Sequence, residues 1–350
     1  VTSVEASTAY PEVTPGARVR VVDFIPHLTR LGVDLSFRPT LTDEEYALVT
    51  SNVSPARKAR VLTGAATRLV RNRKAAPGSL SLVHRLRFLL PLPGVDPPRQ
   101  LDVYDFDDAL FVGSVGSENS SFGWVKREAE RWHAYTSRAR LVIAGNGYLA
   151  ARAGQIARRV EVVPSCVDPS IQPVREHGDQ EVVRIGWIGS RSTAAYLDQC
   201  LPVLEKMNRN GRRAELVLVG AGSGYDEPWI TSLPWSAETE KELLASFDIG
   251  IMPLPDDEWT RGKCGYKLLE YFAAGVPAVA SPVGVNSSIV GDERGALASS
   301  DEDWLRALET LVNDAEMRRQ MGNNARRFVE EEYSYEAWAP QLAGLLKELD

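Results

Sequence analysis

Short apolar runs bounded by glycine and proline alternate along this chain with longer stretches whose apolar residues recur at helical spacing. Val33 to Phe37, Val103 to Phe106, Arg140 to Ala144, Glu161 to Pro164, Val183 to Ile188, Glu215 to Gly220, Phe247 to Met252 and Ala278 to Ala280 read as strands. Strands alternating with helices predict an α/β chain with parallel sheets. Thr14 to Arg20 reads as a loop opening a helix that ends near Gly32, with a kink at Pro26. DPSIQPVREHGDQ, from Asp168 to Gln180, carries prolines, a glycine and charges between two strands, so it reads as a linker. The 350 residues exceed the usual single-core size and fit two domains, 1–170 and 180–334. After Tyr333, YEAWAPQLAGLLKEL is a last amphipathic helix.

Composition is that of an ordinary globular protein, and its Ala, Arg and Val richness suits a bacterial source of high GC content. Cys166, Cys200 and Cys264 form no CxxC pair, which speaks against a disulfide framework or structural zinc and for a reducing compartment. No leader-like N-terminus and no run approaching a membrane span are present, so a soluble, cytoplasmic protein is expected. The net charge of −7 hides a basic stretch: between Pro55 and Gln100 there are ten Lys or Arg and a single acid, Asp96. That stretch, residues 55–99, could rest on anionic lipid at the inner face of a membrane, steer an anionic acceptor, or be a solvated arginine-rich helix. Nucleic acid is disfavoured by the acidic whole and the few aromatics there.

The densest chemistry lies between Asp248 and Asn286, where a strand, a polar loop and a helix follow one another. The helix begins near Gly265 and Tyr266, with Lys263 and Lys267 at its first turn and Arg261 just upstream. The positive end of the helix dipole disfavours such cations by about 0.3–1 kcal/mol each, so an anion is the natural compensation. Glu270, one turn in, is spaced to meet a ribose hydroxyl while the helix start holds phosphates; alternatively it complements the dipole and the lysines are solvated. A second element, RIGWIGS, ends in Gly189, Ser190 and Arg191 at the carboxyl edge of a strand, which makes Arg191 a candidate diphosphate ligand. The glycines of VGAGSGYDEP resemble a dinucleotide fingerprint but open no helix, so this is read as a loop. VYDFDDALF crowds Asp105, Asp107 and Asp108 at a strand end, a costly arrangement unless a cation, a donor or water meets them.

KCGYKLLEYFAAGVPAVAS, from Lys263 to Ser281, is similar to the donor-binding motif of nucleotide-sugar glycosyltransferases with the GT-B fold, especially the retaining glycosyltransferase family 4. The resemblance implies two Rossmann-like domains facing a central cleft, with the helix 335–350 crossing back to the first. Domain 180–334 would bind the donor and domain 1–170 the acceptor. Of the family's pair of glutamates Glu270 matches the second, on the helix that binds the ribose, while the position of the first is Gly262, which leaves the donor-sugar contact to Asp256, Asp257 or Glu258. The implied donor site is Gly189, Ser190, Arg191, Trp235, Lys263, Gly265, Tyr266, Lys267 and Glu270, with Leu233, Pro234 and Trp235 framing the base. Trp235 could equally staple the helix that follows it.

The Pro-Gly turn at Gly16, with Arg18, resembles the glycine loop that faces the cleft in these enzymes. Asp105, Asp107 and Asp108 resemble both a metal-binding aspartate motif and a phosphatase nucleophile motif, but are best placed as acceptor-side residues; no histidine follows in sequence near that strand end. With His27, His84, His133 and His177 scattered, no metal site is expected. The implied reaction moves a sugar from a nucleotide-diphosphate donor (UDP, GDP, ADP or dTDP) to an acceptor hydroxyl without metal or permanent cofactor. The departing phosphate takes the proton, and domain closure excludes water. A small-molecule or glycan acceptor, in natural-product or cell-envelope glycan biosynthesis, fits this reading. An epimerase or hydrolase of the same fold, or a non-catalytic partner subunit, are the alternatives.

Overall fold

The computed structural model describes residues 1–71, 75–113, 127–209 and 214–350. The chain divides into two compact units, Val1–Cys166 with Tyr335–Asp350, and Val167–Ser334.

The first unit is a parallel six-stranded sheet in the order β2-β1-β3-β4-β5-β6. Its strands are β1 (Thr2–Thr8), β2 (Val33–Pro39), β3 (Ser79–His84), β4 (Leu101–Phe106), β5 (Ala139–Ala144) and β6 (Val160–Val162). The sequence pattern places no strand before Val33 and none at Ser79–His84, yet β1 is central: Val4 pairs with Leu35 on one side and with Leu80 on the other. TSVEAST has only two apolar residues, Val4 and Ala6, so its strand character comes from two neighbours rather than from an apolar run. Those two side chains, with Leu35, Leu82, Val103, Leu141 and Ile143, form one face of the sheet, which packs against Phe24 and Leu28.

Tyr335–Lys347 is helical and closes the same core with Ala339, Leu342, Ala343 and Leu346. Each buried leucine contributes about 1.5–3 kcal/mol. Tyr335 pins the start of this helix, its ring 4.8 Å from Phe24 and its hydroxyl donating to the Val19 carbonyl at 3.2 Å. The predicted kink at Pro26 is instead a break. A short helical turn, Pro15–Ala17, runs into a π-helical stretch, Arg18–Val22, and Pro26 sits in the first turn of a separate helix, Ile25–Arg30, where its missing N–H costs nothing.

The second unit repeats the theme in the order β12-β11-β10-β7-β8-β9. The strands are β7 (Val183–Ile188), β8 (Ala214–Val219), β9 (Ile230–Leu233), β10 (Ile249–Met252), β11 (Ala278–Ala280) and β12 (Gly295–Leu297). Both faces are buried, as parallel sheets require. Ile185, Trp187, Leu216, Leu218, Ile249 and Ile251 meet Trp304 and Leu308 on one side. Val217, Val219 and Met252 meet Phe247, Leu268 and Phe272 on the other. Tyr271 rivets the Tyr266–Ala273 helix to the sheet, accepting from the Ile188 N–H and donating to the Ile251 carbonyl, both at 3.2 Å.

The segment read as a linker is strapped to this second unit. Arg175 bonds the fully buried Asp248 at 2.8 Å, and His177 Nε2 meets the Gly275 carbonyl at 2.8 Å. The basic stretch at residues 55–99 is not one solvated surface either. Arg68 pairs with Glu45, Arg85 pairs with Asp107 and Asp108, and Arg87 is buried; residues 73 and 74 lie outside the described residues. Among the described residues no helix is long and apolar enough to cross a membrane.

Candidate functional site

In an open parallel sheet the crevice for a ligand forms where strand order reverses, outside the carboxyl ends of the strands. In the second unit that point lies between β7 and β10. After Ile188 the chain turns through Gly189 and Ser190 into the short helix Arg191–Ala194, with Ser190 in extended conformation as its N-cap. Gly189 leaves room for its neighbours: a Cβ there would lie 2.7 Å from the Trp187 ring and 2.9 Å from Cε of Lys267. The Lys267 stem therefore runs along the Gly189 turn, and its Nζ stands 5.3 Å from the Trp187 ring centroid. Gly222, with φ of +93°, does the same for Arg191, whose Nε would be 2.8 Å from a Cβ. Two cations from distant parts of the sequence thus flank one turn at the end of β7.

The Tyr266–Ala273 helix brings the third. Gly265 is its N-cap in left-handed conformation, and Lys263, just before it, holds Nζ 4.6 Å from the Trp259 ring centroid. Arg261 is turned to Asp256, at 2.6 and 3.0 Å. Glu270 is buried one turn in. Trp235 is part-buried against the core, its Cβ 3.3 Å from where a Cβ on Gly220 would stand, and its indole N–H donates to Glu240 at 2.8 Å. That bond ties the ring to the first turn of the Glu240–Ala245 helix. The loop carboxylates are largely committed. Asp256 holds Arg261, and Asp257 caps the Glu258–Arg261 turn by accepting from the Thr260 N–H at 2.8 Å.

In the first unit strand order reverses between β1 and β3. There a Cβ on Gly16 would lie 3.3 Å from Cζ of Arg85 and 3.4 Å from Nε2 of His84. His84 and Asp105, paired in register at the ends of β3 and β4, are bonded from Nδ1 to Oδ2 at 2.6 Å. Arg20, from the π-helical stretch, bonds both oxygens of Asp105 and the Val163 carbonyl. Burial opposes the charge on Asp105, but the Arg20 guanidinium and the His84 bond more than offset it and hold its pKa below the ordinary carboxylate value. Arg85 has the left-handed φ of +56° and spans Asp107 and Asp108, each at 2.6 Å. Burial likewise opposes ionisation of Asp107, and Arg85 and His84 overcome it, leaving that pKa far below normal. An arginine forced to positive φ is the kind of strain that accumulates at working sites.

Gly16, Asp105, Asp107 and Asp108 are therefore gathered at one sheet edge, with Arg18 at the start of the π-helical stretch beside them in sequence. Sequence reasoning missed Arg20, His84 and Arg85. The histidine absent from the Asp105 segment arrives from the neighbouring strand, and the apolar alternation of SLSLVH was the signal for it. With both Asp105 oxygens engaged, that carboxylate is no free nucleophile. Among the described residues no group of three His, Cys, Asp or Glu is arranged to hold a metal ion.

Residues 179–314 match the family described as "Glycosyl transferases group 1". A search of the curated proteins finds no match. Among solved structures the chain is similar to a sucrose-phosphate synthase from Thermosynechococcus elongatus, with a TM-score of 0.69 at 15% identity over 100% of this chain and 99% of that one. HepE of Anabaena, solved with UDP and glucose, gives 0.65 at 14% over 99% of each chain. A glycosyltransferase from Rickettsia africae gives 0.61 at 11% over 100% of this chain and 99% of that one. At these identities the structures establish a shared fold, two parallel-sheet units with a returning terminal helix.

Proposed function

We propose that this chain is a GT-B glycosyltransferase of the group 1 kind and that it transfers a sugar from a nucleoside-diphosphate donor bound by its second unit to a hydroxyl of a small-molecule or glycan acceptor bound by its first. The observation that carries this is that the Lys267 stem lies along the Gly189 turn, which leads directly into Arg191, on the strand-order switch of the second sheet. Arg191, Lys267 and Lys263 would hold the diphosphate together with the N–H groups that open the Tyr266–Ala273 helix, and would stabilise the charge that grows on it as the glycosidic bond breaks. Glu270 is assigned to the ribose. Leu233 and Trp235 are assigned to the base, the indole held in place by Glu240. HepE, which shares the fold, was solved with UDP and glucose, and a uracil nucleotide is accordingly the first donor to test.

In the first unit Asp107 and Asp108, part-exposed beside Arg85, are assigned to acceptor hydroxyls, with Gly16 and Arg18 at the same edge. Asp105 is a positioning residue. Its bond to Nδ1 orients the His84 ring, whose Nε2 is adjacent to Gly16. We assign retention at the anomeric carbon. The leaving phosphate would take the acceptor proton, so no protein nucleophile is needed, and Arg191, Lys263 and Lys267 would neutralise its charge in place of a metal.

Calorimetric titration of UDP, GDP, ADP and dTDP into the wild type and Glu270→Ala tests the donor site. Micromolar binding of one nucleotide, weakened by the substitution, supports it; a folded protein that binds none of the four sinks it. Transfer that persists in a chelator and a product whose anomeric coupling matches the donor would support the finer steps. Gly262, in place of a carboxylate, favours one rival, a nucleotide-sugar hydrolase or epimerase. Turnover that is the same with and without acceptor would select that rival.

A further inference from the structure

Parallel sheets are ordinarily apolar on both faces, and the first sheet is not. Opposite its packed face runs a lateral row of polar side chains: Ser36, Glu5, Ser81, Asp102 and Arg140. Glu5 is in register with Ser36 and with Ser81. Ser81 donates its N–H and hydroxyl to Asp102 at 2.9 and 2.8 Å, and Arg140 reaches Asp102 at 3.1 Å. Against this face lies a cavity of about 930 Å³, within the range of small-molecule sites. Its lining includes four guanidinium groups, Arg38, Arg68, Arg87 and Arg99, against two carboxylates, Glu5 and Asp102.

Pairing is present on both sides of that count, since Arg38 stands 3.3 Å from Glu5, Arg68 is paired with Glu45, and Asp102 is engaged by Arg140 and Ser81; the lining itself still carries two guanidinium groups more than carboxylates. Arg87 is only 7% exposed, and burial lowers its pKa despite the nearby charges of Asp96 and Glu5. A cavity lined by more guanidinium groups than carboxylates, one of them buried, suits an anion. Ser7 and Ser81 line the same cavity; their hydroxyl protons go to the Leu82 carbonyl and to Asp102, which leaves the oxygen lone pairs and the Glu5 carboxylate as acceptors for sugar hydroxyls. Inorganic phosphate alone would fill a small part of the volume. None of the cavity residues belongs to the Gly16, His84 and Asp105 cluster, which stands at the carboxyl edge of the sheet rather than on its face.

We propose that this face of the first sheet binds an anionic saccharide, its phosphate or carboxylate held by the arginines and its hydroxyls by the serine and carboxylate floor. The inference stands apart from the donor reading of the second unit.

Glucose 6-phosphate, glucuronate, glucose and inorganic phosphate would each be titrated calorimetrically into the full chain and into two variants. One is Arg38→Ala/Arg99→Ala, at exposed positions, and the other is Lys267→Ala. The expected result is that an anionic sugar binds at least tenfold tighter than glucose or phosphate, is weakened tenfold or more by the double substitution at unchanged Tm, and is indifferent to Lys267→Ala. Loss with Lys267→Ala but not with the double variant would place the ligand in the second unit and overturn the proposal. So would phosphate binding as tightly as the sugars, or no binding by either anionic sugar.

Discussion

Lys267→Met is the sharpest test of the donor site, because it removes the charge while keeping the stem that lies along Gly189 and under the Trp187 ring. A hydrogen bond to a charged group contributes about 1.5–3 kcal/mol, and at about 1.4 kcal/mol per tenfold this is roughly a 10- to 150-fold rise in Kd. The bare attraction between unit charges about 4 Å apart, at an effective dielectric near 20, is about 4 kcal/mol, so the smaller figure allows for lost hydration. The assay is calorimetry with the preferred nucleoside diphosphate and, in parallel, its parent nucleoside. The diphosphate should lose that affinity and the nucleoside should lose almost none. The wild-type diphosphate affinity should also fall with salt more steeply than the variant's. Equal loss for both ligands would mean that Lys267 acts through packing, and no loss for either would refute the assignment of the diphosphate to the Gly189 turn.

Three further outcomes follow from the same geometry. Gly222→Ala places a side chain at φ of +93° and 2.8 Å from Nε of Arg191, so it should cost on the order of 1–3 kcal/mol of stability and weaken diphosphate binding by displacing Arg191, read from chemical denaturation and calorimetry on one sample. Asp105→Asn strands the buried Arg20 charge and should lower stability by about 3–5 kcal/mol, with the double variant Arg20→Met/Asp105→Asn recovering much of it; additive losses would refute a coupled pair. Burial lowers the His177 pKa beneath its ordinary value, against the opposing Gly275 bond. The folded chain therefore binds fewer protons than the unfolded one below about pH 6.5, and stability should fall as pH drops through that point. In His177→Asn that part of the Tm-against-pH curve should flatten.

Of the second sheet's candidate site, the loop and helix were legible because they are contiguous in sequence, while Arg191 and Trp235 come from elsewhere in the chain. Glycines, lysines and a glutamate within one loop and one helix, Gly262 to Glu270, announce an anion site before any tertiary contact is known. The first sheet's edge was not. Arg20 to Asp105, His84 to Asp105 and Arg85 to Asp107 each join separate elements, brought together by the register of β3 beside β4 and, for Arg20, by the π-helical stretch Arg18–Val22. β1 escaped for a related reason: Ser3, Glu5 and Ser7 on one face, and threonines beside Val4 and Ala6 on the other, hide a strand whose partners lie on both sides. The segment from Asp168 to Gln180 has linker composition, yet Arg175 neutralises the buried Asp248 and the Gly275 carbonyl has His177 for a partner. A list of residue types carries no trace of such pairings.

Gly262 is where the chain departs from the pattern it otherwise resembles, and the structure narrows what can compensate. A carboxylate at that position would offer the donor sugar a strong hydrogen-bond acceptor. Of the nearby acids Asp256 is tied to Arg261 and Asp257 to the Thr260 N–H. Drawing Asp257 away would unmake the cap of the Glu258–Arg261 turn, a loss of about 1 kcal/mol that offsets most of a new sugar contact. The donor should therefore be recognised chiefly through its nucleoside and diphosphate. Binding of a nucleotide sugar should exceed that of the matching nucleoside diphosphate by less than tenfold, and two sugars on one nucleotide should differ by less than that. Gly262→Glu should raise sugar discrimination without changing affinity for the bare diphosphate. A wild type that separates epimeric sugars a hundredfold would show that another residue has taken over the contact, with Glu258 as the first to substitute.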